Sequence, residues 1–438
     1  MHIYFSGVGG TAIGPLALIA HEAGFEVSGS DKRSSLYIEY LKKHGVGTIH
    51  IGQTYDQIEA VHAKQPIDWF VYTSALPMEH PDAPELQFCR DRGIKATKRD
   101  EFLNFLLQEK KLDMVAVAGT HGKTTTTAMA IWLFKQLGMP ISYSVGAKMS
   151  FGEMGEFDPA SRFFVYEADE FDRNFLAFRP RISLVTGIDW DHPDIYPTRE
   201  SYNQAFHQFL NQSDQAILWQ EDAAILGKKP DAKTSLLADD TAELHSLKLP
   251  GLVNRKDALL VAHAVRLLTG RPLDELIGHL NRFPGVARRF ERISGDLYSD
   301  YAHTPPKIRG ALQMAHEVAG DNVIVIYEGL HNTRQHFIKH ELRNLFEKVK
   351  ALYIVPSYLA RENASLQLLT PDDLKNLLND ATQAHTQAAA LDANLAAVIR
   401  NHLAQGDLVL GISAGGGGSL DEWLRKEFAT NEPARLVP

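Results

Sequence analysis

Seven consecutive residues, Gly119-Thr120-His121-Gly122-Lys123-Thr124-Thr125, combine two glycines, a lysine and hydroxyls in a spacing that suits phosphate chemistry. Glycines let backbone N–H groups turn toward one point, and a following helix adds its N-terminal dipole there. A lysine beside them supplies a point charge for β- and γ-phosphates, and a threonine a hydroxyl for Mg²⁺. Val117 stands where the longer phosphate-loop pattern has another glycine, so the match is partial. The same residues would also serve a plain strand–helix turn with an exposed lysine.

Two further runs bear on that choice. Glu167-Ala168-Asp169-Glu170 follows the apolar stretch Arg162–Tyr166, and Asp189-Trp190-Asp191-His192 follows Ile182–Thr186. A buried strand that ends in a carboxylate is where a phosphate-loop enzyme holds a Mg²⁺ partner. A single strand-end acid is commonly only a helix cap. Three strand ends carrying Lys/Thr, Glu and Asp/His together point to a metal–nucleotide site. Near the N-terminus, Gly7-Val8-Gly9-Gly10-Thr11-Ala12 reads G-x-G-x-x-A, and Asp31 ends the next strand pattern. Taken literally this is a dinucleotide turn with Asp31 on a ribose. The glycines would equally serve any tight strand–helix connection.

These residues need strands to end beside one another. Met114–Ala118 is an apolar strand, and Ala128 to Phe134 continue the loop as a helix. His2–Ser6, Phe25–Gly29, Thr48–Ile51 and Trp69–Tyr72 give a first α/β unit, closed by a Leu- and Phe-rich helix over 99–108. The charged stretch Gln108–Asp113 marks a boundary, and a second lies near Gly285–Gly295. Beyond it, strands at Leu297–Tyr301, Val323–Tyr327, Ala351–Val355 and Leu408–Ile412 alternate with helical patterns, with a glycine run at 415–418. The expected fold is α/β in three domains: 1–108 and 294–438 Rossmann-like, and 109–293 a P-loop ATPase-like domain with a parallel sheet.

Composition sets outer limits. At 438 residues the chain exceeds one ordinary core. A formal net charge of −9 argues against nucleic-acid binding and against an anionic membrane surface. One cysteine, Cys89, excludes an internal disulfide framework and fits a reducing compartment. With no apolar run of membrane-span length and no signal-peptide pattern, a cytoplasmic location is expected.

Taken in order, these runs resemble the Mur ligase family. The residues that carry the likeness are Gly7–Gly10 with Val27–Asp31, Gly119–Thr125, Glu167–Glu170 and Asp189–Asp194. Gly285–Phe290 and Asp300-Tyr301-Ala302-His303-Thr304-Pro305 complete them, spread over about 300 residues. The resemblance implies an ATP- and Mg²⁺-dependent ligase that joins L-alanine, or a related amine, to the carboxylate of UDP-N-acetylmuramate through an acyl phosphate. It implies that Gly7, Gly9, Gly10, Ser30, Asp31 and Ser74 surround the UDP-sugar. Gly119, Thr120, His121, Gly122, Lys123, Thr124 and Thr125 would hold the ATP phosphates, with Thr124 and Glu167 on one Mg²⁺ and His192 on a second. Asn254 would lie on the adenine side, Arg289 and Asp300 would face ATP, and His303 and Arg334 would line the amine pocket. A monomer or homodimer is expected.

Several positions differ from the family pattern. Gly187 replaces an asparagine before the acid–histidine run, and Val253 and Asp257 flank Asn254 in place of a histidine and a second asparagine. Thr304 replaces a second histidine, and Tyr327-Glu328-Gly329-Leu330-His331 stands where the family has phenylalanine-glutamine-proline-histidine. Three other readings follow: a ligase taking a preformed peptide, a non-catalytic binding protein, and an NAD-dependent oxidoreductase using Gly7–Asp31. Retention of Lys123, Thr124, Glu167 and His192 favours catalysis, and the oxidoreductase leaves the central domain unexplained.

Overall fold

A computed structural model describes residues 1–428 apart from 75, 78, 79, 193, 194 and 361. Ala75, and Pro193 and Asp194 at the end of the acid–histidine run, therefore lie outside the described residues. The chain forms two compact units, Met1–Leu247 with Asp257–Asn281, and Lys248–Lys256 with Arg282–Pro438.

The first unit holds two sheets. Strands β1 (His2–Ser6), β2 (Glu26–Asp31), β3 (Ile49–Ile51), β4 (Trp69–Tyr72) and β5 (Lys95–Lys98) pair in the order β3-β2-β1-β4-β5. Every pairing is parallel. The chain leaves β1 toward β2 on one side and returns to β4 on the other. Their carboxyl ends therefore open a crevice at the Gly7 turn and Ser74.

The second sheet contains β6 (Asp113–Ala118), β7 (Ser142–Ser144), β8 (Gly155–Glu156), β9 (Phe163–Glu167), β10 (Ile182–Val185), β11 (Gln215–Trp219) and β12 (Thr234–Leu237). Its order is β12-β11-β10-β6-β9-β7-β8, parallel except for the β7–β8 pair. The Met114–Ala118 strand thus lies between β9 and β10, the strands that deliver the two acidic runs. Burial on both faces explains why these strands read as continuous apolar runs.

One apolar core joins both sheets. Phe102, Leu103 and Leu106 of helix Arg99–Glu109 share this cluster with Phe5 and Trp69 of the first sheet and with Phe164 and Tyr166 of the second, and the Phe102 ring packs edge-on against Phe5 and Trp69 at 5.3 and 5.4 Å. Full burial contributes about 1.5–3 kcal/mol for each large apolar side chain. Asn104 Nδ2 donates to the Ala177 carbonyl at 2.8 Å, and Lys98 pairs with Asp172 at 2.5 Å.

The second unit carries β13 (Glu291–Ser294), β14 (Leu297–Asp300), β15 (Val323–Leu330), β16 (Ala351–Tyr358), β17 (Thr386–Ala388) and β18 (Leu408–Ile412). The order is β13-β14-β18-β15-β16-β17, with only β13–β14 antiparallel. Apolar clusters cover both faces, one built on Tyr298, Ile308 and Tyr327, the other on Leu297, Leu395 and Leu424. The three-sheet α/β architecture expected from the strand patterns is present.

Candidate active site

The β6 strand ends in Gly119 at φ +139, and Gly122 at φ +78 opens helix Lys123–Gln136. Both glycines adopt backbone geometry that L side chains rarely reach. Space is also closed: a Cβ on Gly122 would stand 2.7 Å from Asp257 Oδ2, and one on Gly119 would strike the Thr186 hydroxyl. The turn leaves the first N–H groups of a long helix free of intrahelical partners.

Lys123 Nζ donates to the Gly119 carbonyl at 2.6 Å and to Glu170 Oε2 at 2.7 Å. Burial alone would lower the lysine pKa, but Glu170, Asp169 and Glu167 outweigh it and hold it above the ordinary value. The ammonium is therefore charged throughout the physiological range. Thr124 Oγ1 donates to Glu167 Oε1 at 2.8 Å, and Gly146 N donates to Glu167 Oε2 at 2.8 Å.

Neighbouring strand ends lock the loop. Thr120 Oγ1 donates to the Asp189 carbonyl at 2.6 Å and lies 2.8 Å from Tyr202 Oη. The Thr186 hydroxyl donates to the His121 carbonyl. Gly187 has φ +154, and a Cβ there would fall on the His121 ring. That crowding accounts for glycine at a position where the family pattern has asparagine. Thr125 is buried in the first helical turn.

His192 adopts φ 56, with Nε2 3.9 Å from both Glu170 Oε1 and Asp191 Oδ2. Asp172 and Arg173 are also left-handed, at φ 52 and 57. Non-glycine residues in this region cost about 1 kcal/mol each and gather where function constrains the backbone.

Among the described residues, no three His, Cys, Asp or Glu side chains converge as a ready-made metal cage. The adjoining Thr124 and Glu167 oxygens suit Mg²⁺ instead, which takes one or two protein oxygens and fills its other positions with phosphate and water.

In the first sheet Gly7 N donates to the Ser30 carbonyl at 2.8 Å and Gly10 N to the Gly7 carbonyl at 3.1 Å. Gly9 N donates to Asp31 Oδ2 at 2.8 Å, so Asp31 ties the glycine turn to β2. Ser30 is fully buried and donates to Glu85 Oε1 at 2.5 Å. Ser6 and Tyr4 also donate to Glu85, at 2.6 and 2.9 Å. Ser30 thus braces the floor of the crevice through a carboxylate that the glycine motif did not reveal. Ser74 Oγ donates to Asn174 Oδ1 at 3.4 Å, which puts this crevice beside the segment that follows the Glu167–Glu170 run.

The other expected residues lie in the second unit. Buried Asp300 accepts from Phe290 N and Ala302 N, both at 2.7 Å, and burial raises its pKa. The Arg289 guanidinium stacks 4.6 Å from the Tyr301 ring centre. His303 Nδ1 is 2.9 Å from the Tyr301 carbonyl. Arg334 belongs to helix Asn332–Ile338, entered through His331 at φ 54. Asn254 Nδ2 donates to the Pro250 carbonyl at 2.8 Å. Glu328 accepts from Ser413 Oγ at 2.5 Å and Leu420 N at 2.9 Å, which engages both carboxylate oxygens with the fold. Arg288 Nη2 donates to the Ser413 and Gly415 carbonyls at 2.9 Å, fixing the start of the glycine run.

Tyr202 and Glu85 were not singled out by the sequence, and Glu170, Asp257 and Arg288 were given no role of their own. Glu170 stood as the last acid of a strand-end run, Asp257 as a departure beside Asn254, and Arg288 within the Gly285–Phe290 run.

Residues 2–111 match the Mur ligase family, catalytic domain, and residues 117–245 match the Mur ligase middle domain. The UDP-N-acetylmuramate–L-alanine ligase of Renibacterium salmoninarum is 30% identical over 94% of this chain and 93% of its own. The ligase of the same name from Agathobacter rectalis is 28% identical over 98% of each chain. Among solved structures, the UDP-N-acetylmuramate-alanine ligase of Thermotoga maritima superposes with a TM-score of 0.74 at 24% identity, covering 98% of each chain. A murein peptide ligase from Psychrobacter arcticus gives 0.61 at 23%, over 95% of this chain and 96% of its own. The structural likenesses speak to the fold, and the full-length sequence relationship goes further: this chain belongs to the Mur ligase family.

Proposed function

We propose that this protein is an ATP-dependent ligase of peptidoglycan precursor synthesis, joining L-alanine to the carboxylate of UDP-N-acetylmuramate. The observation that carries the reading is the pairing of Thr124 with Glu167 beside Lys123, in a chain whose relatives of that name align over almost its whole length. In this reading 1–108 holds the UDP-sugar, 109–293 the ATP and 294–438 the amine, and the enzyme works in the cytoplasm as a monomer or homodimer. No helix among the described residues is long and apolar enough to cross a membrane, which fits that location.

A carboxylate is a poor electrophile, so activation must precede amide formation. One carboxylate oxygen attacks the γ-phosphorus, the bond to the bridging oxygen breaks, and ADP leaves an acyl phosphate. Two anions must approach each other, and the Lys123 charge together with the loop N–H groups offsets that repulsion. Mg²⁺ held through Thr124 and Glu167, and a second through His192, would add Lewis-acid charge at the phosphates. Gly7, Gly9, Gly10, Asp31 and Ser74 would orient the sugar nucleotide, with Ser30 beneath them. His303 and Arg334 would receive the amine, while Asn254, Arg289 and Asp300 would serve the nucleotide. The neutral amine then attacks the acyl carbon, loses a proton, and phosphate departs with the former carboxylate oxygen.

Phosphate release from ATP and UDP-N-acetylmuramate, measured with L-alanine, glycine, L-serine or an L-alanyl peptide, tests the assignment. Turnover should be greatest with L-alanine. Turnover confined to the peptide would transfer the assignment to a peptide-adding ligase, and none with any acceptor would remove the ligase reading.

A further inference from the structure

The inference concerns Glu170, which no role above requires. Its side chain is 1% exposed. Oε2 accepts from Lys123 Nζ at 2.7 Å, while Oε1 accepts from Tyr202 Oη at 3.4 Å and lies 3.9 Å from His192 Nε2. Its backbone carbonyl accepts from Tyr196 Oη at 2.6 Å, fixing the main chain from behind. Tyr202 continues the connection to Thr120, in the phosphate loop itself. One buried carboxylate thus holds the loop lysine, reaches the Thr120 side chain of the loop by way of Tyr202, and lies beside the histidine at the end of the neighbouring strand.

A carboxylate is a costly neighbour for a triphosphate site, because it repels the ligand. A structural counter-ion is equally poorly explained by stability: a buried ion pair is often no better than an apolar pair of the same volume. Geometry gives a stronger account. Lys123 spends two of its three N–H donors on Gly119 and Glu170, and so presents the third in one fixed direction. A free lysine stem would lose most of its rotamer entropy on being fixed. Here that loss has already occurred in the folded chain.

We propose that Glu170 is a positioning residue for phosphoryl transfer: it holds Lys123 and, with Tyr202, keys its direction to the phosphate loop, at the expense of ground-state affinity for nucleotide. This rests on the ligase reading and adds a residue to it. A ground-state penalty combined with better placement in the transition state is the differential binding that raises turnover rather than affinity.

Glu170→Gln keeps the shape and an acceptor for Lys123 but removes the negative charge. Binding of a non-hydrolysable ATP analogue, with and without Mg²⁺, should be several-fold tighter. The kcat for phosphate release should fall at least tenfold, with the thermal midpoint close to the parent. Loss of affinity in parallel with kcat, or a kcat within twofold of the parent, overturns the proposal. Should Glu170→Gln not fold, Glu170→Asp keeps the charge but withdraws it from Lys123 by one methylene, so kcat should fall at least tenfold while analogue affinity stays within twofold of the parent. Failure of both to fold restricts Glu170 to the fold and overturns the proposal too. A parent enzyme that neither binds the analogue nor releases phosphate counts against the ligase reading instead, so the two failures are distinguishable.

Discussion

The Thr124 hydroxyl and Glu167 Oε1 are 2.8 Å apart, although 43 residues of chain separate them. The parallel pairing of β6 with β9 creates this meeting: Val117 and Glu167 share a register position, so the loop leaves β6 where β9 delivers its carboxylate. Glu167→Gln removes the charge from that pair. It should lower kcat/KM about 10²-fold or more and abolish the Mg²⁺ dependence of nucleotide binding, while UDP-sugar affinity stays within twofold. Titration of nucleotide with and without Mg²⁺ checks this.

Gly122→Ala adds a Cβ at φ +78, facing Asp257 Oδ2 at 2.7 Å. The strain should destabilise the first unit by about 1–3 kcal/mol and distort the helix N-terminus that we propose meets the phosphates. Urea unfolding followed by Trp fluorescence reads the first effect, and analogue binding the second.

Buried Glu85 makes stability fall as pH rises. Burial raises its pKa, with hydrogen bonds from Ser30, Ser6 and Tyr4 opposing only in part. The folded state therefore holds the proton more tightly than the unfolded state. Stability linked to Glu85 is complete below its unfolded value, near pH 4.5, and declines as pH rises through the folded value. Glu85→Gln, which stays neutral, should flatten that decline in urea melts taken at rising pH above 4.5.

What the sequence revealed and what it hid follow physical lines. That Thr124 and Glu167 meet beside Lys123 was legible, because a glycine turn after one strand and an acid at the end of another are both written in consecutive residues. Ser30 and Asp31 were legible as a strand end but not in orientation: Ser30 turns inward to Glu85, and Asp31 turns back onto Gly9 N. Glu85 comes from a helix 55 residues further on, and no local pattern announces such a partner. Glu328 stands in a run that departs from the family pattern, and nothing local shows that its oxygens are taken by Ser413 and Leu420. The parallel sheets were clear from apolar runs, whereas the strand order within each came only from the fold.

In the second unit, Glu317 accepts from Gly251 N at 2.7 Å and from both Arg255 terminal nitrogens at 3.0 and 2.8 Å. The Arg255 hydrogen bonds, with Gly251 and Gln313, lower its pKa to about 2 against opposition from burial. Its contribution is thus full above the unfolded value near 4.5 and disappears as pH falls through about 2. The pair anchors the segment that carries Asn254. Glu317→Gln should cost about 1 kcal/mol at pH 7 after solvent screening, a cost that shrinks below pH 4.5, and should weaken nucleotide binding more than UDP-sugar binding. Unfolding curves at pH 3 and pH 7 provide the comparison.

In the proposed reaction the phosphate loop uses ATP to activate a carboxylate. The most direct measurement supplies UDP-N-acetylmuramate labelled with heavy oxygen in its lactyl carboxylate, then weighs the phosphate released during L-alanine addition. Attack of that carboxylate on the γ-phosphorus predicts one labelled oxygen in every phosphate formed with product. Unlabelled phosphate accompanying amide formation would contradict the account, because the γ-phosphoryl group would then never have been bonded to the substrate.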